Sequence, residues 1–241
     1  MYEQDGIRVK LVDRDLRRIV VEHGDIVVSY PLNVVPDRLL QALAAAVDHG
    51  ATPEEQLNGL YSSSLMKPTV CTCNQGRPFH VNTATKIVRP TLTDEIIEKK
   101  IEELEGTLLG WQGRRFEDTL AERIDVYRDL FCDERRIDRF RLSAVEMFGT
   151  GTHQNIQRDP RVTLHFMWSS DPDIASNCYQ LNCIAEIVPP GSPFYRYSRF
   201  MRSLFSSRFL HVDRADYICA YRLWVVEARD KSLAPRPGFP S

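Results

Sequence analysis

Charge of one sign is missing from this chain: 31 Lys and Arg stand against 33 Asp and Glu, for a net charge of -2. So even a balance offers no bulk attraction to nucleic acid or to an anionic membrane, and neither is expected as a partner. Apolar runs are short, and none approaches the roughly eighteen residues that a membrane-spanning helix needs. The opening MYEQDGIRVKLVDRD is polar, unlike a secretory signal, so the cytoplasm is the expected compartment. Six cysteines (71, 73, 132, 178, 183, 219) contain no CxxC pair and suggest no disulfide framework. Cys71 and Cys73 would share one face of a strand. That placement suits paired ligation or redox work, or simply two small buried hydrophobes in a reducing compartment.

Catalytic signatures are equally scarce. Gly149-Thr150-Gly151 is half of a GxGxxG, but Gln154 stands where the third glycine belongs, and the following helix is too short for a βαβ crossover. No GxxxxGK[ST], HExxH or GxSxG occurs. His153 and His165 are separated by a turn and Pro160, so they form no helical metal pair. No metal site is expected, and no catalytic residue is assigned.

What is present is an ordinary globular composition, 43% hydrophobic and 27% charged over 241 residues, organised around residues 140–168. FRLSAVEMF and RVTLHFMW read as half-buried strands. Between them GTGTHQNIQRDP reads as a tight turn and a short helix. Gly149 and Gly151 allow the backbone to bend close to a ligand, and Thr150 or Thr152 can cap the helix. A helix start of this kind is a seat for an anion such as phosphate.

Upstream, residues 7–30 read as a hairpin with Gly24-Asp25 as its turn. PDRLLQALAAAV is a helix, and Thr52-Pro53 opens another. Residues 1–60 are taken as an N-terminal α/β extension, and 61–241 as the main domain. From Pro68 the composition turns to β, with a hairpin around Asn74-Gln75-Gly76-Arg77-Pro78. Residues 91–135 predict a helical hairpin: Thr93 caps the first helix, and Phe116, Leu120, Ile124, Tyr127 and Phe131 line the second. It would cover one end of the β structure, build a dimer contact or act as a lid. DPDIASN is a turn before the strand CYQLNCIAEIV. Ser192-Pro193 starts a helix running to about Leu210, and YICAYRLWVVEA is the last strand before a proline-rich tail. Arg196, Arg199 and Arg202 make a stripe beside aromatics. Such a stripe suits the grip of a carboxylate, a phosphate or single-stranded nucleic acid, or is a solvated face.

NIQRDPRVTLHFMW resembles the segment after the third strand in the FMN-binding split-barrel superfamily typified by pyridoxamine phosphate oxidase. Asp159-Pro160-Arg161-Val162, Phe166 and Trp168 carry the likeness, and the Gly76-Arg77-Pro78 turn and Cys183-Ile184-Ala185-Glu186 add to it. The resemblance implies an α+β fold: a six-stranded antiparallel Greek-key split barrel that forms a homodimer with two sites at its interface. It implies FMN held by Asn82, Thr83, Thr85 and Lys86 on the second strand and by Thr150, Gly151, Thr152, His153 and Gln154 at the turn. Arg196 and Arg199 would meet a small-molecule substrate, or reach the phosphate across the dimer interface. Members that hold FMN firmly carry Arg-Lys or Lys entering the short helix, whereas this chain has Gly151-Thr152-His153-Gln154. The expectation is an FMN-dependent oxidoreductase. The alternatives are a haem-binding member, with His80, His153 or His211 as axial ligand, a cofactor-free enzyme, or a non-catalytic small-ligand binder.

Overall fold

A computed structural model of the chain describes residues 7–48, 50–62, 64–169, 177–205 and 217–232. The proline-rich tail, His211, most of DPDIASN and the end of the helix expected to reach Leu210 lie outside them. β1 (Ile7–Asp13), β2 (Arg18–His23) and β3 (Ile26–Pro31) pair antiparallel in that order. The expected hairpin is therefore a three-stranded meander. Its additional turn carries no glycine: the Asp13 carboxylate accepts the Leu16 N–H at 2.9 Å, and Arg17 takes a φ of 48°.

Then come α1 (Asp37–Ala44), α2 (Pro53–Ser62), β4 (Thr69–Cys73), β5 (Val81–Thr85), β6 (Arg89–Leu92), α3 (Asp94–Gly110) and α4 (Phe116–Phe131). After these follow β7 (Ile137–Glu146), α5 (Gly151–Arg158), β8 (Arg161–Trp168), β9 (Asn177–Val188), α6 (Pro193–Ser203) and β10 (Cys219–Asp230). Local chemistry accounts for several boundaries. The Thr93 hydroxyl accepts the Ile96 N–H at 3.4 Å at the start of α3. Ser192 does the same for Tyr195 at 3.2 Å, with Pro193 in the first turn of α6.

The large sheet has seven strands, ordered β5-β4-β8-β9-β10-β7-β6, every neighbouring pair antiparallel. This corrects the expected six-stranded split barrel in two ways. The strand β6 adds to the count, and β5 and β6 are edges with no ladder between them. The sheet is nevertheless strongly curled. Only three residues separate β5 from β6, a reach of about 14 Å, whereas the edges of a flat seven-stranded sheet would stand roughly 29 Å apart. A curled, unclosed antiparallel sheet with six helices among the described residues is an α+β architecture consistent with a split barrel.

The inner face of the curl holds Val70, Leu142, Leu164, Phe166, Leu181 and Leu223, all buried, against helix residues such as Tyr127, Tyr197 and Phe200. Burying each such side chain stabilises by about 1.5–3 kcal/mol. A second cluster joins Ile7, Ile19, Val21 and Leu32 of the meander side to Ile184 and Trp224 on the outer face of β9 and β10. Arg141, fully buried, ties the layers together through Asp94 (2.9 and 3.0 Å), Asp138 (3.2 Å) and the Leu92 carbonyl. No helix among the described residues is long and apolar enough to cross a membrane.

Candidate functional site

The turn between β7 and α5 was the expected centre, and its backbone bends as glycine allows. Gly149 takes a φ of 66°, and a Cβ there would stand 2.7 Å from Ile218 Cδ1. The bend aims the N–H groups of Phe148 and Gly149 back at the end of β7, where both donate to Glu146 Oε1 at 3.1 Å. Its other oxygen receives Lys86 Nζ at 2.6 Å and the Tyr221 hydroxyl at 3.0 Å. The Tyr221 proton is thereby committed to Glu146, so the 2.9 Å contact between His153 Nδ1 and the Tyr221 oxygen is read as an Nδ1–H donor. Imidazole, phenol, carboxylate and ammonium form one chain of polar contacts.

Most of it is closed off from solvent. Glu146, His153, Cys219 and Tyr221 are buried, and Lys86 is nearly so. Burial pushes the Glu146 carboxyl up, but the Lys86 ammonium, the Phe148 N–H and the Tyr221 hydroxyl outweigh it and hold the group below its ordinary value. Burial lowers the His153 imidazole, with Lys86 adding to the effect and Glu146 opposing it. Burial likewise pushes the Cys219 thiol up to about 12, so it is no nucleophile at neutral pH.

The residues expected to hold a cofactor divide between two faces. Asn82, Lys86, Gly151, Thr152 and His153 gather at this corner. Asn82 Nδ2 donates to the Thr152 hydroxyl at 3.2 Å, and its Oδ1 lies 3.3 Å from where a Gly151 Cβ would stand. Thr83 and Thr85 point from the exposed side of β5, because β5 alternates. Thr150 occupies the cap position of α5 without a side-chain cap bond, contrary to expectation, and both it and Gln154 are exposed. The Arg196 guanidinium is held by Glu105 (2.5 Å) and Glu102 (2.7 Å) on α3, and Arg199 lies on the same helix, α6. Glu146, Tyr221, Thr72 and Asn155 were not anticipated. Thr72, buried, receives the Asn155 amide at 3.0 Å.

A phosphate does not fit this corner as it stands. Its cation is neutralised, and the N–H groups at the bend already serve a carboxylate. A second place does have room. A cleft of about 530 Å³ opens on the outer side of the large sheet, between the edge of the meander and β4, β8 and β9. Its lining includes Tyr30, Cys71, Cys73, His80, Gln180 and Asn182. On this face Asn182 Oδ1 accepts the Thr163 hydroxyl at 2.9 Å and the Gln180 amide at 3.1 Å. Arg161, the lining cation, forks onto Asp159 at 2.9 and 2.7 Å.

No protein-family model matches the sequence, and no curated protein matches it. Solved structures similar to the chain include an FMN-binding protein from Syntrophomonas wolfei subsp. wolfei (7% identity, TM-score 0.42, covering 82% of this chain and 89% of that one). Another is a Listeria innocua protein described as a candidate pyridoxamine 5'-phosphate oxidase (8%, 0.37, 69% and 88%). A third is HutZ, the heme storage protein from Vibrio cholerae (10%, 0.35, 68% and 85%). At such identity and superposition they carry no functional weight, and this chain's own residues decide its site.

Proposed function

We propose that this chain is a small-ligand-binding split-barrel protein that seats a flat, hydrogen-bonding aromatic ligand of the flavin class in the outer cleft. The observation that carries the reading is the cleft itself. Its volume of about 530 Å³ lies within the range of about 300–1,000 Å³ usual for small-molecule sites. With Asn182 engaged by Thr163, Gln180 and Glu227, the Gln180 amide offers its oxygen and its second N–H to a ring edge, while Tyr30 and the Cys71 and Cys73 thiols offer soft contact to a ring face. The fit is to the ring system and not to a nucleotide phosphate, since Arg161, the cation in the lining, is paired with Asp159. A flavin so held would bring its own redox chemistry, which makes oxidoreductase the enzyme reading. A homodimer belongs to the same proposal: Phe79 and Val81 are exposed beside and on the β5 edge, where a second copy would cover them.

Titrating the purified protein with riboflavin, and following flavin fluorescence and absorbance, tests this. Quenching is expected, and Thr163→Trp, which fills the cleft floor, should abolish it while leaving the circular dichroism unchanged. Absence of quenching, or quenching indifferent to that substitution, sinks the proposal. Haem is the second reading because His80 lines the cleft and can offer an axial nitrogen, whereas His153 is tied to Tyr221. A Soret shift lost in His80→Ala would favour it.

A further inference from the structure

We infer that the corner between β7 and α5 is an anion-binding site whose resident anion is Glu146, and that this carboxylate keeps a phosphate out of the corner. Four donors from three parts of the chain converge on the one carboxylate: two backbone N–H groups of the bend, an ammonium from the end of the β5 strand, and a phenol from β10. Adjacent N–H groups on a glycine bend, beside a lysine, are what an incoming phosphate would use. The bend aims those groups because Gly149 holds a left-handed φ, and a Cβ there would also push on the end of the Ile218 side chain.

The carboxylate that occupies that position is anchored in the chain, at the end of a buried strand. A phosphate approaching the corner would meet a fixed negative charge, and the Lys86 ammonium is already paired at 2.6 Å. Asn82 closes the other flank by resting on Gly151 and holding the Thr152 hydroxyl. Glu146 thus excludes a phosphate from this corner by occupancy.

The test empties the site. Glu146→Ala should lower the melting temperature, and sodium formate or inorganic phosphate should restore several degrees of it beyond what the same salt does for the unaltered chain. Glu146→Gln, which keeps the corner filled, should show no such excess. If neither anion stabilises Glu146→Ala more than the unaltered chain, or if Glu146→Gln is rescued equally, the corner is an ordinary buried ion pair and the inference fails. Should Glu146→Ala not fold, refolding yield with and without formate gives the same comparison. Absence of riboflavin binding fails the cleft reading alone, because the anion rescue is read without a flavin.

Discussion

Gly149→Ala should destabilise the chain by about 2 kcal/mol, by routes that can be separated. The native φ of 66° is left-handed, and a Cβ there costs roughly 1–2 kcal/mol. The new methyl would stand 2.7 Å from Ile218 Cδ1, forcing that flexible side chain off its rotamer at a further ~1 kcal/mol. Alanine also restricts the unfolded chain, which returns about 0.4–1 kcal/mol. Urea unfolding followed by tryptophan fluorescence measures the sum. Ile218→Val removes the clashing atom, so the double variant should show a coupling of about 1 kcal/mol, while the backbone part remains. A loss below about 0.5 kcal/mol for Gly149→Ala would falsify the claim that this bend requires glycine.

Removing Arg141 is expected to cost more. Arg141→Met takes a fully buried guanidinium from Asp94 and from the buried Asp138 and should cost about 3 kcal/mol or more in chemical denaturation. A value near zero would mean that the pair is no better than packed methylene. Acid should weaken the fold in two stages. The His153 imidazole is depressed, so stability is full above the ordinary histidine value of 6.5 and declines as pH falls from there, since the unfolded chain binds the proton first. Glu146 is depressed as well, so its contribution is present above 4.5 and is lost as pH falls through its folded value. Lys86→Met leaves Glu146 buried without its cation, so the stability gap to the unaltered chain should narrow between pH 7 and pH 4; a constant gap argues against the ion pair. Arg196→Ala should change stability by under ~1 kcal/mol and leave riboflavin binding unaltered, whereas weakened binding would return Arg196 to the site.

Much of the helical structure could be read locally because its signals are local. Thr93 before Asp94-Glu95, Ser192 before Pro193, and apolar residues at three- and four-residue steps each report on a single turn of chain. The β4–β5 hairpin was legible for the same reason, through Asn74 to Pro78. β6 was not. Arg89-Pro90-Thr91-Leu92 has no alternation, contains a proline and is only four residues long, yet all four are buried. It is a strand because β7 offers a ladder at its open side, and Pro90 is tolerated because β6 lies at the sheet edge. The first turn of the meander was missed for a related reason: an aspartate side chain and a left-handed arginine perform it, with no glycine or proline to mark it.

The corner between β7 and α5 shows where local reading stops. Residues 149–155 have the composition of an anion seat, and the bend they form does hold an anion. Whether such a seat receives a ligand or a side chain depends on residues that composition does not connect. Lys86 and Glu146 are sixty positions apart, and Tyr221 is a further seventy-five beyond Glu146. One signal was nonetheless present. In FRLSAVEMF the glutamate shares the strand register of Leu142 and Ala144, both buried. An ionised carboxylate on that register is costly unless several donors receive it. A glutamate there therefore calls for a cation and N–H groups close by, and the glycine bend that starts two residues later is the nearest source of the latter. Read together, the strand and the bend specify each other: the carboxylate needs the donors, and the donors, once satisfied, have nothing left for a phosphate.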